Sequence, residues 1–149
     1  MRQLVYALRF RGEAKRVEID GTVLTTATRA PGCTVGTRIG PEGLSGSLTP
    51  VDGDEATLES EWVFTSATTF QEGGTIVFGR GGHRLRFSTF GSAYLGPAAA
   101  DACRHGSVVR WVEGGEGQFA GARGLIASAL VVDDAGEVTD HQLGVVYVT

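Results

Sequence analysis

Apolar and polar residues alternate along most of the chain, and this period of two is typical of β-strands with one buried face. Residues 55–66, for example, place Leu58, Trp62 and Phe64 on one face and Glu59 and Glu61 on the other. The same alternation marks residues 3–10, 22–28, 84–90, 107–112, 125–132 and 138–148, with shorter candidates at 17–19, 34–39, 44–48, 68–71 and 75–79. We expect eight to ten of these segments to form strands.

Glycine and proline mark the breaks between the segments. Turns or loops are expected at residues 20–21, 29–32, 40–43, 50–54, 73–74, 80–83, 114–124 and 133–136. One short helical turn is expected from Pro97 to Arg104, because proline suits a first helical turn, alanines follow it and Gly106 ends it.

The order of the segments predicts one all-β domain over residues 1–149. Strands joined by short turns pair antiparallel, because parallel strands need long crossover connections. A meander of this kind has exposed edges unless it closes, so we expect a single closed antiparallel β-barrel of about eight strands. Such a barrel is either filled by side chains or holds one small ligand.

Composition and charge exclude several classes of protein. The 149 residues carry a net charge of −4, and the chain shows no basic stripe of the kind that binds nucleic acid. No apolar run approaches the roughly 20 residues of a membrane span. The N-terminal segment carries Arg2, Arg9 and Arg11 without the apolar core of a signal peptide, which predicts a cytoplasmic protein. Cys33 and Cys103 are expected to be thiols, with a single disulfide as the alternative in an oxidising compartment.

Residues 115–120 match the Gly-x-Gly-x-x-Gly/Ala pattern of dinucleotide-binding turns. In those proteins a helix follows, and its N-terminus holds the pyrophosphate. Here the β-rich segment 125–132 follows instead, so we expect no nicotinamide or flavin cofactor. The histidines also lack the His-x-His and His-Glu-x-x-His spacings of metal sites, so we expect no metal.

The same stretch carries a different similarity. Residues 112–124, VEGGEGQFAGARG, resemble the Gly-Gly-x-Gly-x-Phe-x-x-Ala-x-Gly turn of dirigent proteins and the related turn of allene oxide cyclases. The resemblance implies an eight-stranded antiparallel barrel of calycin-like type that forms trimers. Glycines at a barrel corner permit left-handed backbone and close strand approach. We therefore expect a structural turn, with Phe119 and Ala122 packed under the barrel end.

Four residues are candidates for moving a proton or polarising a carbonyl: Tyr6, Glu61, Arg110 and His141. Glu61 shares a strand face with Glu59; on an inner face, repulsion and desolvation would raise one pKa, whereas on an outer face both are ordinary solvated carboxylates. Arg110 alternates in phase with valines, which suits either an exterior residue or an inner anchor for a carboxylate or enolate oxygen. His141 would line the cavity if its face points inward, and is otherwise a simple buried, hydrogen-bonded histidine.

Aromatic residues on the strands supply the candidate substrate contacts, namely Trp62, Tyr94, Phe87 and Tyr147. Asp140 is expected at the rim of the last strand. A Ser128–His141–Asp140 triad is rejected, because no nucleophile elbow surrounds the serine.

The leading hypothesis is a cofactor-free cyclase or isomerase that binds an apolar, polyketide-like natural-product intermediate inside the barrel. The alternatives are a non-catalytic carrier for a small apolar ligand and a purely structural, oligomer-forming domain. Apolar residues on both strand faces also predict a homo-oligomer, either a dimer or a trimer.

Overall fold

The computed structural model describes residues 1–17, 21–98 and 102–149. Nine β-strands and one 3-10 turn, Gly117–Phe119, account for the regular structure of these residues. The strands are β1 (Arg2–Arg16), β2 (Val23–Gly40), β3 (Gly43–Phe64), β4 (Thr69–Phe78), β5 (His83–Thr89), β6 (Ala93–Pro97), β7 (Arg104–Glu116), β8 (Arg123–Val132) and β9 (Glu137–Val148). The all-β prediction is confirmed.

The nine strands form one antiparallel sheet that closes into a ring. Going around the ring, the order is β3, β2, β1, β9, β8, β7, β5 and β4, and β4 pairs back with β3. Strand β6 lies beyond the end of β5 and also bridges β4 and β7. Each position between β4 and β7 is therefore filled by one of two short strands, which gives a ring of eight strand positions.

The inward side chains form three layers along the ring axis. One end is an apolar cluster that includes Phe10, Leu58, Ile76, Val112, Phe119, Ile126 and Val146. The other end is a second apolar cluster that includes Leu24, Trp62, Phe70, Val108, Leu130 and Val138. Between the two lie buried polar side chains, here called the polar belt: Thr26, Thr28, Ser60, Glu72, Arg110, Ser128, Asp140 and Gln142.

Strands β2 and β3 are much longer than the sequence predicts. The expected loop at 29–32 and the expected turn at 50–54 both lie inside continuous strands, and a register shift between Pro31 and Cys33 absorbs the extra residues. The hairpin turn at 40–43 is confirmed, because Gly40 pairs with Gly43. Beyond the shift, residues 34–49 leave the ring as a two-stranded ribbon, here called the arm.

The turn expected at 73–74 is also wrong, since both glycines lie within β4. A side chain at Gly74 would collide with the backbone oxygen of Glu59 on the neighbouring strand. Glycine here serves close approach of two strands rather than a reversal of the chain.

The predicted helical turn from Pro97 to Arg104 is wrong at both ends, because Pro97 and Arg104 pair with each other as members of β6 and β7. Residues 99–101, at its centre, lie outside the described residues, as do residues 18–20, on which most of the predicted strand 17–19 falls. Among the described residues no helix is long and apolar enough to cross a membrane.

The glycine-rich turn behaves as the sequence predicts. Its 3-10 turn runs directly into β8, with no helix after it. Phe119 and Ala122 are buried in the apolar cluster at the β7–β8 end of the ring, as expected. Cys33 and Cys103 are not joined by a disulfide.

Candidate functional site

Arg110 is the centre of the polar belt and is fully buried. Its position follows from the alternation of β7, where Val108 and Val112 point inward on either side of it. The guanidinium donates from Nε to Glu72 Oε1 at 2.7 Å, from one terminal nitrogen to Ser128 Oγ at 2.5 Å and from the other to Asp140 Oδ2 at 3.2 Å. A buried arginine is tolerated only when its charge is paired and its donors are used, and here three strands supply the partners.

Glu72, on β4, holds Arg110 on the flank that faces away from Ser128 and Asp140. Its second carboxylate oxygen accepts a hydrogen bond from the indole nitrogen of Trp62 at 3.0 Å. Its backbone N–H and C=O both bond to the Thr89 hydroxyl. The Phe87 ring lies beneath the guanidinium, and Arg110 Cζ is 5.0 Å from the centre of that ring. The side chains of Glu72 and Arg110 are therefore fixed in place by independent contacts on each.

Asp140 is the second acid of the belt. Its Oδ2 accepts from Arg110, whereas its Oδ1 has no hydrogen-bond partner although it is buried. Burial raises the pKa of the Asp140 carboxyl, and this outweighs the opposing effects of the Arg110 charge and of a hydrogen bond from Ser128. The belt thus contains a carboxyl with one oxygen clamped and the other unused.

The belt holds two carboxyls and one guanidinium. Burial acts to lower the pKa of Arg110, but the charges of Glu72 and Asp140 outweigh it and raise the pKa, so the guanidinium stays cationic. One positive charge cannot neutralise two negative ones, and two nearby carboxyls do not both ionise readily in a buried site. Burial accordingly raises the pKa of the Asp140 carboxyl.

Tyr6 and Gln142 complete the belt on its β1–β9 side. The Tyr6 hydroxyl donates to Gln142 Oε1 at 2.6 Å, and the Gln142 amide nitrogen is buried without a partner. Burial raises the pKa of Tyr6, an effect that Arg110 opposes and Asp140 reinforces, so the phenol stays protonated. The Tyr6 ring lies across Gly144, where any larger residue would collide with it.

The wall of the ring is incomplete beside Tyr6. Strand β1 pairs with β2 only from Arg11 onward, so residues 2–10 pair with β9 alone. The Cys33 thiol donates to the Ala7 carbonyl across this gap at 3.1 Å. Inward side chains next to the gap are only partly buried, namely Leu4, Tyr6, Leu8 and Phe78. These side chains pack against the apolar cluster at this end of the ring.

Cavities of about 830 and 370 Å³ lie elsewhere on the described surface. The larger one lies on the outer face of β1 to β4 and is lined by Glu13, Lys15, Arg29, Glu59 and Glu61 among others. The smaller one surrounds the turn of the arm at Pro41. Neither is lined by Arg110, Asp140 or Tyr6.

The structure places the eight sequence-predicted site residues on two different faces. Tyr6, Trp62, Phe87 and Arg110 point into the ring and meet around Glu72 or Gln142. Glu61, Tyr94, His141 and Tyr147 are exposed on the outside. Of the two orientations open for Arg110, the inner one is correct, but its anchor is the chain's own carboxylates. For Glu61 the outward orientation holds. His141 is exposed, so it is neither the cavity-lining residue nor the buried histidine that the sequence predicted.

Sequence reasoning missed Glu72, Ser128 and Gln142, and it expected the buried Asp140 at a rim. Each of the four is in phase with apolar residues that point inward, such as Ile126 and Leu130 on either side of Ser128. Glu72 was hidden by the turn expected at 73–74. Assigning every second residue of a strand to the inner face, whether that residue is apolar or polar, would have identified all four as inward-pointing.

Among the described residues no three histidine, cysteine or acidic side chains gather as the ligands of a metal would. Comparisons with protein-family models, with curated proteins and with solved structures gave no match, so the resemblance of residues 112–124 to dirigent proteins and allene oxide cyclases stays a prediction.

Proposed function

We propose that the ring is a ligand-binding β-barrel that isomerises or cyclises a small, largely apolar ketone without a cofactor. Three buried side-chain atoms of the belt have no hydrogen-bond partner, namely Thr28 Oγ1, Asp140 Oδ1 and the Gln142 amide nitrogen, and the last two carry the proposal. Buried polar groups are nearly always hydrogen-bonded, and exceptions call for a functional or solvent explanation. An acceptor and a donor at successive inward positions of β9 match a carbonyl compound with an acidic neighbouring C–H group.

The proposed reaction begins with proton transfer to Asp140. Its Oδ1 takes a proton from the carbon next to the ligand carbonyl, and the electron pair of that C–H bond moves onto the carbonyl oxygen to form an enolate. The Gln142 N–H donates to the enolate oxygen, and the Tyr6 hydroxyl orients the Gln142 amide by binding its oxygen. A general base works best when its pKa lies near the working pH, and burial shifts the pKa of Asp140 in that direction.

The enolate can react in two ways, and each returns the proton from Asp140 to the ligand. In a ligand with a carbon–carbon double bond next to that C–H group, the enolate charge extends over the double bond. Return of the proton from Asp140 to the far carbon of the double bond then gives an isomer of the ligand. Alternatively, the enolate carbon forms a bond to a second carbonyl carbon of the same molecule, and the proton from Asp140 passes to the resulting alkoxide, which gives a ring. Holding the two reacting carbons together in a closed interior supplies the orientation that such a ring closure needs.

Arg110 and Glu72 are positioning residues in this scheme. Arg110 binds Asp140 Oδ2, so only Oδ1 is left to accept a proton. Glu72 and Ser128 accept hydrogen bonds from the other guanidinium nitrogens, and this fixes the orientation of the guanidinium group. The partly buried apolar side chains beside the gap, Leu4, Leu8 and Phe78, favour an apolar ligand over a charged one.

The test is exchange of carbon-bound hydrogen in D2O, followed by NMR, on a panel of bicyclic ketones such as 2-tetralone. Binding is followed in parallel by the fluorescence of Trp62. We expect at least one ketone of the panel to bind and to exchange its acidic hydrogen faster with the protein than with buffer. Asp140→Asn should abolish the exchange and retain binding, and Tyr6→Phe should slow it.

Other outcomes separate the alternatives. Binding of the panel without exchange, in the native protein, would indicate a carrier for apolar ligands. Absence of both binding and exchange across the panel would leave the belt as a structural feature and contradict the proposal. His141→Ala, on the outer face, is the matched control and should change neither binding nor exchange.

A further inference from the structure

Exposed large apolar residues are concentrated on two surfaces of the described chain. The first is the arm, residues 34–49. The second is the outer face of β1, β9, β8 and β7, here called the outer apolar face. It consists of Val5, Ala7, Val109, Trp111, Leu125, Ala127, Leu143 and Val145. Contiguous exposed apolar surface on a soluble protein indicates an interaction site.

The arm is amphipathic because directly opposed residues of a hairpin share a face. Val35 pairs with Leu48 and Ile39 pairs with Leu44, which places all four apolar side chains on one face. Ile39 is 83% exposed and Leu44 is 74% exposed. The other face carries polar residues, including Thr34 paired with Thr49 and Arg38 paired with Ser45. An isolated two-stranded ribbon is at best marginally stable in water, so this one is expected to pack against something.

The outer apolar face is flat and has no charge at its centre. Val5 pairs with Val145, Val145 with Leu125, and Leu125 with Trp111, so one row of apolar side chains crosses four strands. A second row, through Ala7, Leu143, Ala127 and Val109, lies beside it. Polar residues surround the two rows, among them Gln3, Arg9, Glu113, Arg123 and His141. An apolar centre with a polar rim is the composition of a protein–protein interface.

We propose that the arm of one copy of this chain lies on the outer apolar face of a second copy. The arm's two apolar pairs are four residues apart, which is roughly 13 Å along a strand. From Val5 to Trp111 the outer apolar face spans three strand spacings, which is roughly 14 Å. The strands of the arm would cross the strands of the face nearly at right angles, which is a known arrangement of packed sheets. In this arrangement one apolar pair of the arm lies over β1 and the other lies over β7.

The two surfaces give a contact at the small end of the range for protein interfaces. Six residues lie on the apolar face of the arm, namely Val35, Thr37, Ile39, Leu44, Gly46 and Leu48, and the two rows of the outer apolar face have eight. When each copy gives its arm and receives another, each contributes 14 residues, against the roughly 20–30 per side of a standard interface. The pair Thr37 and Gly46, between the two apolar pairs of the arm, would face the small residue Ala127 and permit close approach.

The first test is sedimentation of the native protein and of matched double variants at micromolar concentration. The native protein should be an oligomer. The double variant Ile39→Asp, Leu44→Asp should raise the dissociation constant at least about a hundredfold, because each substitution removes an apolar side chain that the contact would bury. Ser45→Asp with Ser47→Asp changes the charge equally on the polar face of the arm and should leave the dissociation constant nearly unchanged.

A second pair of variants tests the receiving surface. Leu143→Asp, in the middle of the outer apolar face, should dissociate the oligomer. Val63→Asp, an exposed apolar position on the outer side of β3, should not. Far-ultraviolet circular dichroism of each variant shows whether the ring has folded, and the arm variants lie outside the ring altogether.

Crosslinking identifies the contact directly. Benzoylphenylalanine at position 39, in a mixture of 15N-labelled and unlabelled chains, should crosslink between chains to one side of the outer apolar face. The expected partners are tryptic peptide 3–9, which contains Val5 and Ala7, or peptides 105–110 and 111–123, which contain Val109 and Trp111. The same group at position 38 faces the other way and should not. A monomeric native protein, an oligomer that survives the Ile39 and Leu44 substitutions, or crosslinks only within one chain would each overturn the proposal.

Discussion

The Nε of Arg110 donates to Glu72 at 2.7 Å, and both side chains are about 1% exposed. Removal of one partner from a buried ion pair leaves an unpaired charge and costs about 3–5 kcal/mol. We therefore expect Arg110→Met to lower the free energy of unfolding by about that amount, because Glu72 and Asp140 both lose their counter-charge. Urea denaturation at neutral pH measures the change.

The exposed pair Arg29–Glu55, with 3.9 Å between the closest atoms, is the matched control. Arg29→Met should cost less than about 1 kcal/mol, as is usual for surface ion pairs. Equal losses for Arg29→Met and Arg110→Met would contradict the assignment of Arg110 to a buried, charge-paired site.

Asp140 should make the stability of the protein depend on pH. Burial raises its pKa in the folded chain, whereas its pKa in the unfolded chain is about 4. At a pH between these two pKa values, the folded state therefore binds the proton more strongly than the unfolded state. The contribution of Asp140 to stability is therefore fully present below about pH 4 and is lost as the pH rises through the folded pKa. Relative to the native protein, Asp140→Asn should have its lowest free energy of unfolding in acid. Its free energy of unfolding relative to the native protein should rise as the pH rises.

Urea titrations of the two proteins between about pH 4 and pH 8 give the difference directly. Asp134→Asn, at the exposed β8–β9 turn, controls for the loss of one carboxyl from the chain. A difference between native protein and Asp140→Asn that stays constant with pH would show that Asp140 has no raised pKa.

Trp62 should contribute to stability through its indole nitrogen as well as its ring. Trp62→Phe keeps most of the apolar ring, which stacks on Phe70 with 4.7 Å between ring centres, but removes the donor to Glu72. We expect a loss of about 1–3 kcal/mol, the cost of leaving a buried acceptor unpaired. Emission spectra also change, because the remaining Trp111 is half-exposed and emits at longer wavelength.

Trp111→Phe is the complementary control. It should leave the short-wavelength emission of the buried Trp62 and cost less stability, because Trp111 makes no contact with the belt. If both variants lost equal stability, the hydrogen bond from Trp62 to Glu72 would not be contributing.

The alternation of residues predicts the fold well and the belt poorly, and both results have the same cause. Apolar side chains such as Leu58 and Trp62 mark the inner face because burial of apolar surface drives folding. The polar belt breaks that rule at the middle of each strand, where Glu72, Ser128 and Asp140 occupy inward positions between apolar neighbours. A period of two identifies the face of such a residue, but the partner that permits its burial comes from a distant strand.

Glycine in the strands caused the other errors of prediction. Gly32 and Gly73 suggested breaks where the chain continues as β2 and β4. A glycine in a sheet can indicate a close approach or an irregularity in register instead of a turn, and the sequence alone does not separate these cases. The glycines of 114–124 were interpreted correctly, because several of them surround Phe119 and Ala122 in one short segment.

Gly144 should be required for the position of Tyr6. A β-carbon at residue 144 would collide with the Tyr6 ring, so Gly144→Ala should displace the ring and cost about 1–3 kcal/mol through overpacking. In the double variant with Tyr6→Leu the collision is absent, and the two changes should cost less together than the sum of the separate losses. Gly73→Ala, where the nearest atom would lie 3.9 Å away, is the control and should cost little. Thermal and urea unfolding of the four proteins of the cycle measure the coupling, and strict additivity of the two losses would show that Tyr6 does not lie across Gly144.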